Sequence, residues 1–171
     1  MGASQSLLEL VAAAQASAKT SEDRISEVLK HMDGQNGTSA QVEELHATII
    51  SLELAAVDIF SLFEARMQHH FRRGPFSRKL KSLLLETGHT DLANRIYQYY
   101  LAVNVLKHGK GASYRELLKT PNTLFVVKPN EDIIEDEASA GLVDVSVPGF
   151  FEGLSATILE AYYYLEKRKR S

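Results

Sequence analysis

Four side chains that can donate, accept or transfer protons recur at helical spacing in the second half of the chain. Intervals of three, four and four residues separate Tyr97, Tyr100, Asn104 and His108. At about 100° per residue, these intervals place all four on one face of a helix. An imidazole passes protons and an amide orients oxygens, so this face has the groups that orient a phosphodiester and pass a proton. The same residues also suit a helix end, where they cap carbonyls and pack, and both interpretations stay open.

Basic residues are concentrated in three short segments that contain no acidic residue and hold 12 of the 19 lysines and arginines. These segments are residues 66–81, 107–110 and 167–170. The remaining chain has seven basic and 22 acidic residues, a net charge of −15, although the whole protein carries −3. Such a chain repels anions everywhere except at its basic segments, which predicts that an anion binds there. Alternatively, the basic segments are helix ends that remain solvated. We expect contacts to a phosphate-bearing ligand from six residues: Arg72, Arg73, Lys107, Lys110, Tyr97 and Tyr100.

Two adjacent histidines precede the arginines of the first basic segment. Neighbouring side chains on an α-helix point about 100° apart, so His69 and His70 make a poor chelating pair. No carboxylate lies between residues 66 and 81, and the arginines there would repel a divalent cation. The segment therefore favours an anion over a metal ion, and we expect neither a metal site nor a cofactor.

The residues before Gly109 resemble the signature of HEPN-type helical domains. In that family, an arginine, a polar residue and a histidine four to six residues after the arginine line one helix. Asn104 takes the polar position here and His108 the histidine position, whereas Val103 stands at the position of the arginine. The family is a small, often dimeric helical bundle. Many of its members are metal-independent ribonucleases of toxin–antitoxin and phage-defence systems.

The resemblance implies that His108 is the acid–base group and that Asn104 orients the phosphodiester. It covers residues 103–109 by motif and roughly 40–167 by the order of the elements. Valine cannot stabilise a phosphorane, so a gain of cleavage in a Val103→Arg variant would confirm that the protein is a degenerate nuclease. Otherwise an arginine has to come from a preceding helix, and the candidates are Arg66, Arg72 and Arg73.

Hydrophobic periodicity predicts an all-α helical bundle that positions these side chains. Thr38, with Gln41 three residues on, predicts a capping box at the start of a long helix. That helix has Val42 in its core stripe and Leu54 on another side. Because it is apolar nearly all round, we expect neighbours on several of its sides.

Two β-branched runs precede the last predicted helix. They cover residues 124–127 and 142–147, and an acidic segment that contains a proline separates them. This pattern predicts a small β-hairpin at about residues 123–147, with a long mobile loop, inserted before the last helix.

The chain divides into a predicted N-terminal helical extension, residues 1–37, and a predicted bundle domain, residues 38–171. Residues 4–32 have two amphipathic stretches, and Thr20 or Ser21 would cap the second one. Two short helices are marginal alone. We therefore expect the extension to lie at the periphery or to form a dimer.

Composition excludes several classes of protein. Hydrophobic residues make up 44% and charged residues 24% of the chain, which is typical of a globular protein. The absence of cysteine excludes disulfides and thiol catalysis. Glu53 and Asp58 interrupt the most apolar window, so we expect a buried helix and no membrane span. No basic residue precedes Lys19 and Glu9 interrupts the apolar N-terminal run, so we expect no signal peptide and a cytoplasmic protein.

Two hypotheses for function follow from the sequence. The first is a HEPN-like protein that binds RNA or another phosphate-bearing ligand, as a degenerate ribonuclease of a defence or toxin–antitoxin system. Any activity would be that of a metal-independent ribonuclease. The second is a non-enzymatic helical module for protein–protein interaction or regulation, acting as a homo-oligomer or with a partner protein.

Overall fold

The fold is an all-α bundle with a small hairpin before the last helix, as predicted. A computed structural model describes residues 5–32, 37–120, 124–129 and 141–170. Its helices are α1 (Leu7–His31), α2 (Ser39–Met67), α3 (Phe76–Glu86), α4 (Thr90–His108), α5 (Ala112–Lys119) and α6 (Phe150–Arg170). A 3-10 turn, Gln68–His70, follows α2, and the strands β1 (Val126–Val127) and β2 (Val143–Asp144) pair before α6.

The start of α2 confirms the capping box. The backbone N–H of Gln41 donates to Thr38 Oγ1 at 3.1 Å, and the Thr38 N–H donates to Gln41 Oε1 at 2.9 Å. The central phenylalanine Phe60 is fully buried. However, Leu54 is 59% exposed and Val42 is 50% exposed. α2 does pack against α1, α4 and α6, as expected, but these neighbours leave Leu54 and Val42 exposed.

The N-terminal segment forms one continuous helix, so the predicted division into two short helices is wrong. Thr20 lies in the middle of α1, where its hydroxyl donates to the carbonyl of Ala16 at 3.2 Å instead of capping a helix. A threonine that bonds to the carbonyl four residues earlier stays compatible with the helix. Although Thr20 is a suitable capping residue, packing along α2 stabilises α1 as one continuous helix through this position.

α1 runs antiparallel to α2 and also packs against α6. At one end of the pair, Arg66 Nη1 donates to the carbonyl of Gln5 at 3.1 Å. At the other end, Arg24 forms an ion pair with Glu44. Val11 of α1 belongs to the same hydrophobic core as the other helices. The division of the chain at residue 37 stays a prediction, and residues 33–36 lie outside the described part of the chain.

The hairpin is confirmed, with strands of only two residues each. Val126 is opposite Asp144 in the antiparallel register, and Val127 is opposite Val143. The buried carboxylate of Glu53 connects α2 to the hairpin, because its Oε2 accepts from the N–H of Gly141 at 3.1 Å. Burial raises the pKa of Glu53, and this hydrogen bond partly opposes that effect. The predicted acidic loop extends from Pro129 to Ala140, and all of it after Pro129 lies outside the described residues.

α5 was not predicted from the sequence, although it lies directly against α4. Gly109 ends α4 with a φ of 74°, a backbone conformation that favours glycine. The eight residues of α5 bury only Tyr114 and Leu117. Tyr114 Oη donates to the carbonyl of Lys128 at 2.5 Å and so connects α5 to the hairpin. A helix this short gives too few apolar positions to establish a helical period.

By length and composition, α2 with its 3-10 extension could also cross a membrane. Within the described residues, Ser39–His70 contains an 18-residue window with a mean hydropathy of 1.6. The core helix of a soluble protein passes the same test. One such helix does not establish a membrane span.

Candidate functional site

The four predicted residues of α4 lie along one face, and three of them are half-buried. The half-buried residues are Tyr97, Tyr100 and Asn104, whereas His108 is exposed at the last position of the helix. The Tyr97 and Tyr100 rings lie 5.6 Å apart, and the Tyr100 ring lies 6.4 Å from that of Phe60. The tyrosines therefore pack against each other and against α2.

Polar contacts of this face connect α4 to its neighbours α3 and α5. Tyr97 Oη donates to Glu116 Oε1 at 3.0 Å, and Asn104 Nδ2 donates to Ser113 Oγ at 3.3 Å. The Lys81 ammonium lies 3.9 Å from the centre of the Tyr97 ring, a cation–π contact. Burial, followed by the hydrogen bond to Glu116, raises the pKa of Tyr97. From Tyr97 to Asn104, the residues of this face therefore already contact neighbouring helices.

The exposed end of α4 carries the remaining predicted groups of that helix. Lys107, His108 and Lys110 are all exposed there. Lys107 also lies within electrostatic range of Glu64 on α2. Burial raises the pKa of Glu64, while Lys107 and a 3.4 Å hydrogen bond from Ser77 lower it. Part of the Lys107 charge therefore balances a carboxylate of the protein itself.

Val103, at the position of the family arginine, points into the core. It is 1% exposed, and its neighbours Ala102 and Val105 are fully buried. Position 103 therefore lies in the core, whereas His108 lies at the surface. Because this position is buried, we expect Val103→Arg to destabilise the bundle and not to restore cleavage.

The predicted arginines Arg72 and Arg73 lie between the 3-10 turn and α3. Both are exposed and line a cavity of about 560 Å³. The other lining residues are His70, Phe71 and Lys79. None of these belongs to α4, so this cavity does not join the arginines to Asn104 or His108.

A second cavity, of about 490 Å³, adjoins the first and contains a basic residue from the end of the chain. Its lining residues are His69, His70, Phe71, Leu83, Leu165 and Arg168. The two cavities share His70 and Phe71. We call the pair the shared cleft. It places Arg168, from the basic segment 167–170, beside residues of the basic segment 66–81, which is far away in the sequence.

The two histidines of the shared cleft lie beside a carboxylate that sequence analysis missed. His69 and His70 belong to the 3-10 turn and not to an α-helix, and their ring centres are 4.2 Å apart. Glu166 reaches them from α6, with its Oε1 3.6 Å from His70 Nε2. The prediction considered only carboxylates within residues 66–81. Nothing local in the sequence pairs Glu166 with a turn 96 residues earlier.

By fold and by site, the protein is an all-α bundle with an inserted hairpin and a basic cleft at the end of α2. Comparison with protein-family models finds no match, and comparisons with curated proteins and with solved structures find none either. The function is therefore argued from the cleft itself.

Proposed function

We propose that this protein binds RNA, or another phosphate-bearing ligand, in the shared cleft. The observation that carries the proposal is the meeting of two basic segments there. Arg72 and Arg73 contribute from the segment before α3, and Lys79 contributes from the first turn of α3. Arg168 contributes from the end of α6. Planar guanidinium groups bind phosphate oxygens through two parallel hydrogen bonds, which makes arginine the suited residue for such a ligand.

The charge of the rest of the chain supports the same proposal. Outside the three basic segments, the net charge is −15. A polyanion is attracted to a basic patch and repelled by an acidic surface, so the charge distribution restricts docking to the basic segments.

Binding without cleavage fits the α4 face better than catalysis does. Asn104 already donates to Ser113, and the arginine position of the HEPN-like signature is the buried Val103. In this proposal the HEPN-like protein is a degenerate ribonuclease that retains RNA binding. His108, Lys107 and Lys110 then form a second, exposed basic edge that contacts phosphates and does not transfer protons.

Salt dependence of RNA binding tests this proposal. We expect the unmodified protein to bind a fluorescently labelled single-stranded RNA at about 50 mM salt and to lose affinity steeply toward about 200 mM. Removing the two guanidinium groups, with Arg72→Ala and Arg73→Ala together, should lower affinity about tenfold. It should also reduce the slope of log K against log salt by about 1.4, because each phosphate contact contributes about 0.7 for a single strand. Fluorescence anisotropy measures both quantities.

A matched variant controls for the loss of two positive charges. Arg115 and Lys119 are exposed on α5, outside the three basic segments, so Arg115→Ala with Lys119→Ala should leave the slope nearly unchanged. Equal losses in the two double variants would contradict a defined site. Absence of RNA affinity in the unmodified protein at low salt would end the proposal.

A second candidate function is association with another helical surface, and the exposed apolar side chains of α2 support it. Leu54 is 59% exposed and Val42 is 50% exposed, in a helix otherwise rich in core residues. Such side chains are individually common on surfaces. Leu54 lies at helical spacing from the partly exposed Ile50 and Val57, and a second copy of the chain could cover this part of α2.

Sedimentation equilibrium tests the association. We expect Leu54→Glu to shift the protein toward the monomer, raising the dissociation constant about tenfold or more, because a carboxylate would be desolvated in the contact. Ser51→Glu adds the same charge at another exposed position of α2 and should have little effect. If the unmodified protein is monomeric at all concentrations, this candidate fails.

A further inference from the structure

Three metal-ligating side chains converge at the edge of the shared cleft. His69 and His70 come from the 3-10 turn, and Glu166 comes from α6. One ligand atom from each residue lies within 4.8 Å of the ligand atoms of the other two. We propose that these three residues bind a divalent transition-metal ion of the Zn²⁺ type. The evidence for this metal site does not depend on the proposed binding of RNA.

The separation of the ligand atoms is close to that of a formed site. In tetrahedral zinc sites, bonds of about 2.0–2.1 Å place neighbouring ligand atoms about 3.4 Å apart. Closing from 4.8 Å requires a shift of about 1.4 Å, within reach of χ rotations of the exposed His69. Glu166 Oε1 is already 3.6 Å from His70 Nε2. Large backbone movement is therefore unnecessary.

The type of ligand selects the type of ion. Two imidazoles and one carboxylate suit zinc, iron or manganese, whereas magnesium and calcium prefer oxygen ligands. Three protein ligands leave at least one coordination position open. His69 and His70 also line the cavity of about 490 Å³, so a ligand in that cavity can occupy the open position.

The neighbouring arginine determines which further ligand fits. Arg168 lines the same cavity as the two histidines, and its positive charge lowers the affinity for a bare cation. An anion at the open position offsets this repulsion, because it bonds to the metal and pairs with Arg168. The site therefore combines a metal ion with an anionic fourth ligand of the phosphate or carboxylate class.

Titration with Zn²⁺ alone, without RNA, tests the metal site. We expect calorimetry of the full chain to show one zinc ion bound per chain. Zinc should also shift the ring ¹⁵N resonances of His69 and His70 in particular. Glu166→Gln should weaken binding about tenfold or more, and His69→Ala at least as much. Circular dichroism verifies that both variants stay folded.

Control variants separate the site from weak binding by surface histidines. His31 and Glu43 are exposed on α1 and α2, so His31→Ala and Glu43→Gln should leave zinc affinity unchanged. The proposal is overturned if zinc fails to bind stoichiometrically, or if Glu166→Gln binds it as tightly as the unmodified chain. Because RNA is absent, either result leaves the proposed function standing.

Discussion

Replacing Val103 by arginine will destabilise the bundle and will not create a nuclease. Val103 is 1% exposed in the middle of α4, so the variant must either bury a guanidinium without a partner or open the core to hydrate it. Both cost several kcal/mol, and we expect the free energy of unfolding to fall by about 4 kcal/mol or more. Urea denaturation followed by circular dichroism measures the loss.

An exposed position on the same helix provides the control. Asn94→Arg introduces the same side chain at the surface of α4, where we expect a change within about 0.5 kcal/mol. A Val103→Arg chain that is as stable as the unmodified protein and cleaves RNA would contradict the position of α4. It would also favour the catalytic form of the HEPN-like hypothesis.

The second large effect is expected where α6 crosses α4. A Cβ atom added at Gly153 would lie against the hydroxyl oxygen of Tyr99, closer than the two atoms can approach. Tyr99 is 2% exposed, and its ring packs 5.6 Å from Phe125 and 6.0 Å from Phe150. Since the ring cannot easily move, Gly153→Ala should destabilise the protein by about 1–3 kcal/mol.

A double-mutant cycle isolates this contact. Alanine is favoured over glycine in a helix by about 1 kcal/mol, so the substitution should stabilise α6 once the obstacle is gone. Tyr99→Phe removes the hydroxyl, and in that background we expect Gly153→Ala to be neutral or stabilising. An interaction energy near zero between the two substitutions would contradict the close approach of α6 and α4.

Local sequence patterns were sufficient to predict most of the helices. The capping box of Thr38 and Gln41 involves residues three apart, so sequence alone contains both partners. The end of α4 at Gly109 is of the same kind. Thr20 shows the limit of such signals, because a residue suited to a cap also fits inside a helix that tertiary packing stabilises.

Contacts between distant residues could not be predicted in this way. The face from Tyr97 to His108 was predicted correctly as a face, but its neighbour α5 was not, so the partners of Asn104 and Tyr97 were unknown. The proximity of Glu166 to His70 depends on how α6 crosses the end of α2. Sequence periodicity indicates which side of each helix is buried, but it does not indicate which helices contact each other.

The common wall of the two cavities, His70 and Phe71, has a thermodynamic consequence. An ion that changes the charge or position of the His70 ring alters both cavities at once, so occupation of one changes the affinity of the other. By reciprocity, the factor by which zinc changes affinity for RNA must equal the factor by which RNA changes affinity for zinc. The four binding constants form a closed cycle, in which any three determine the fourth.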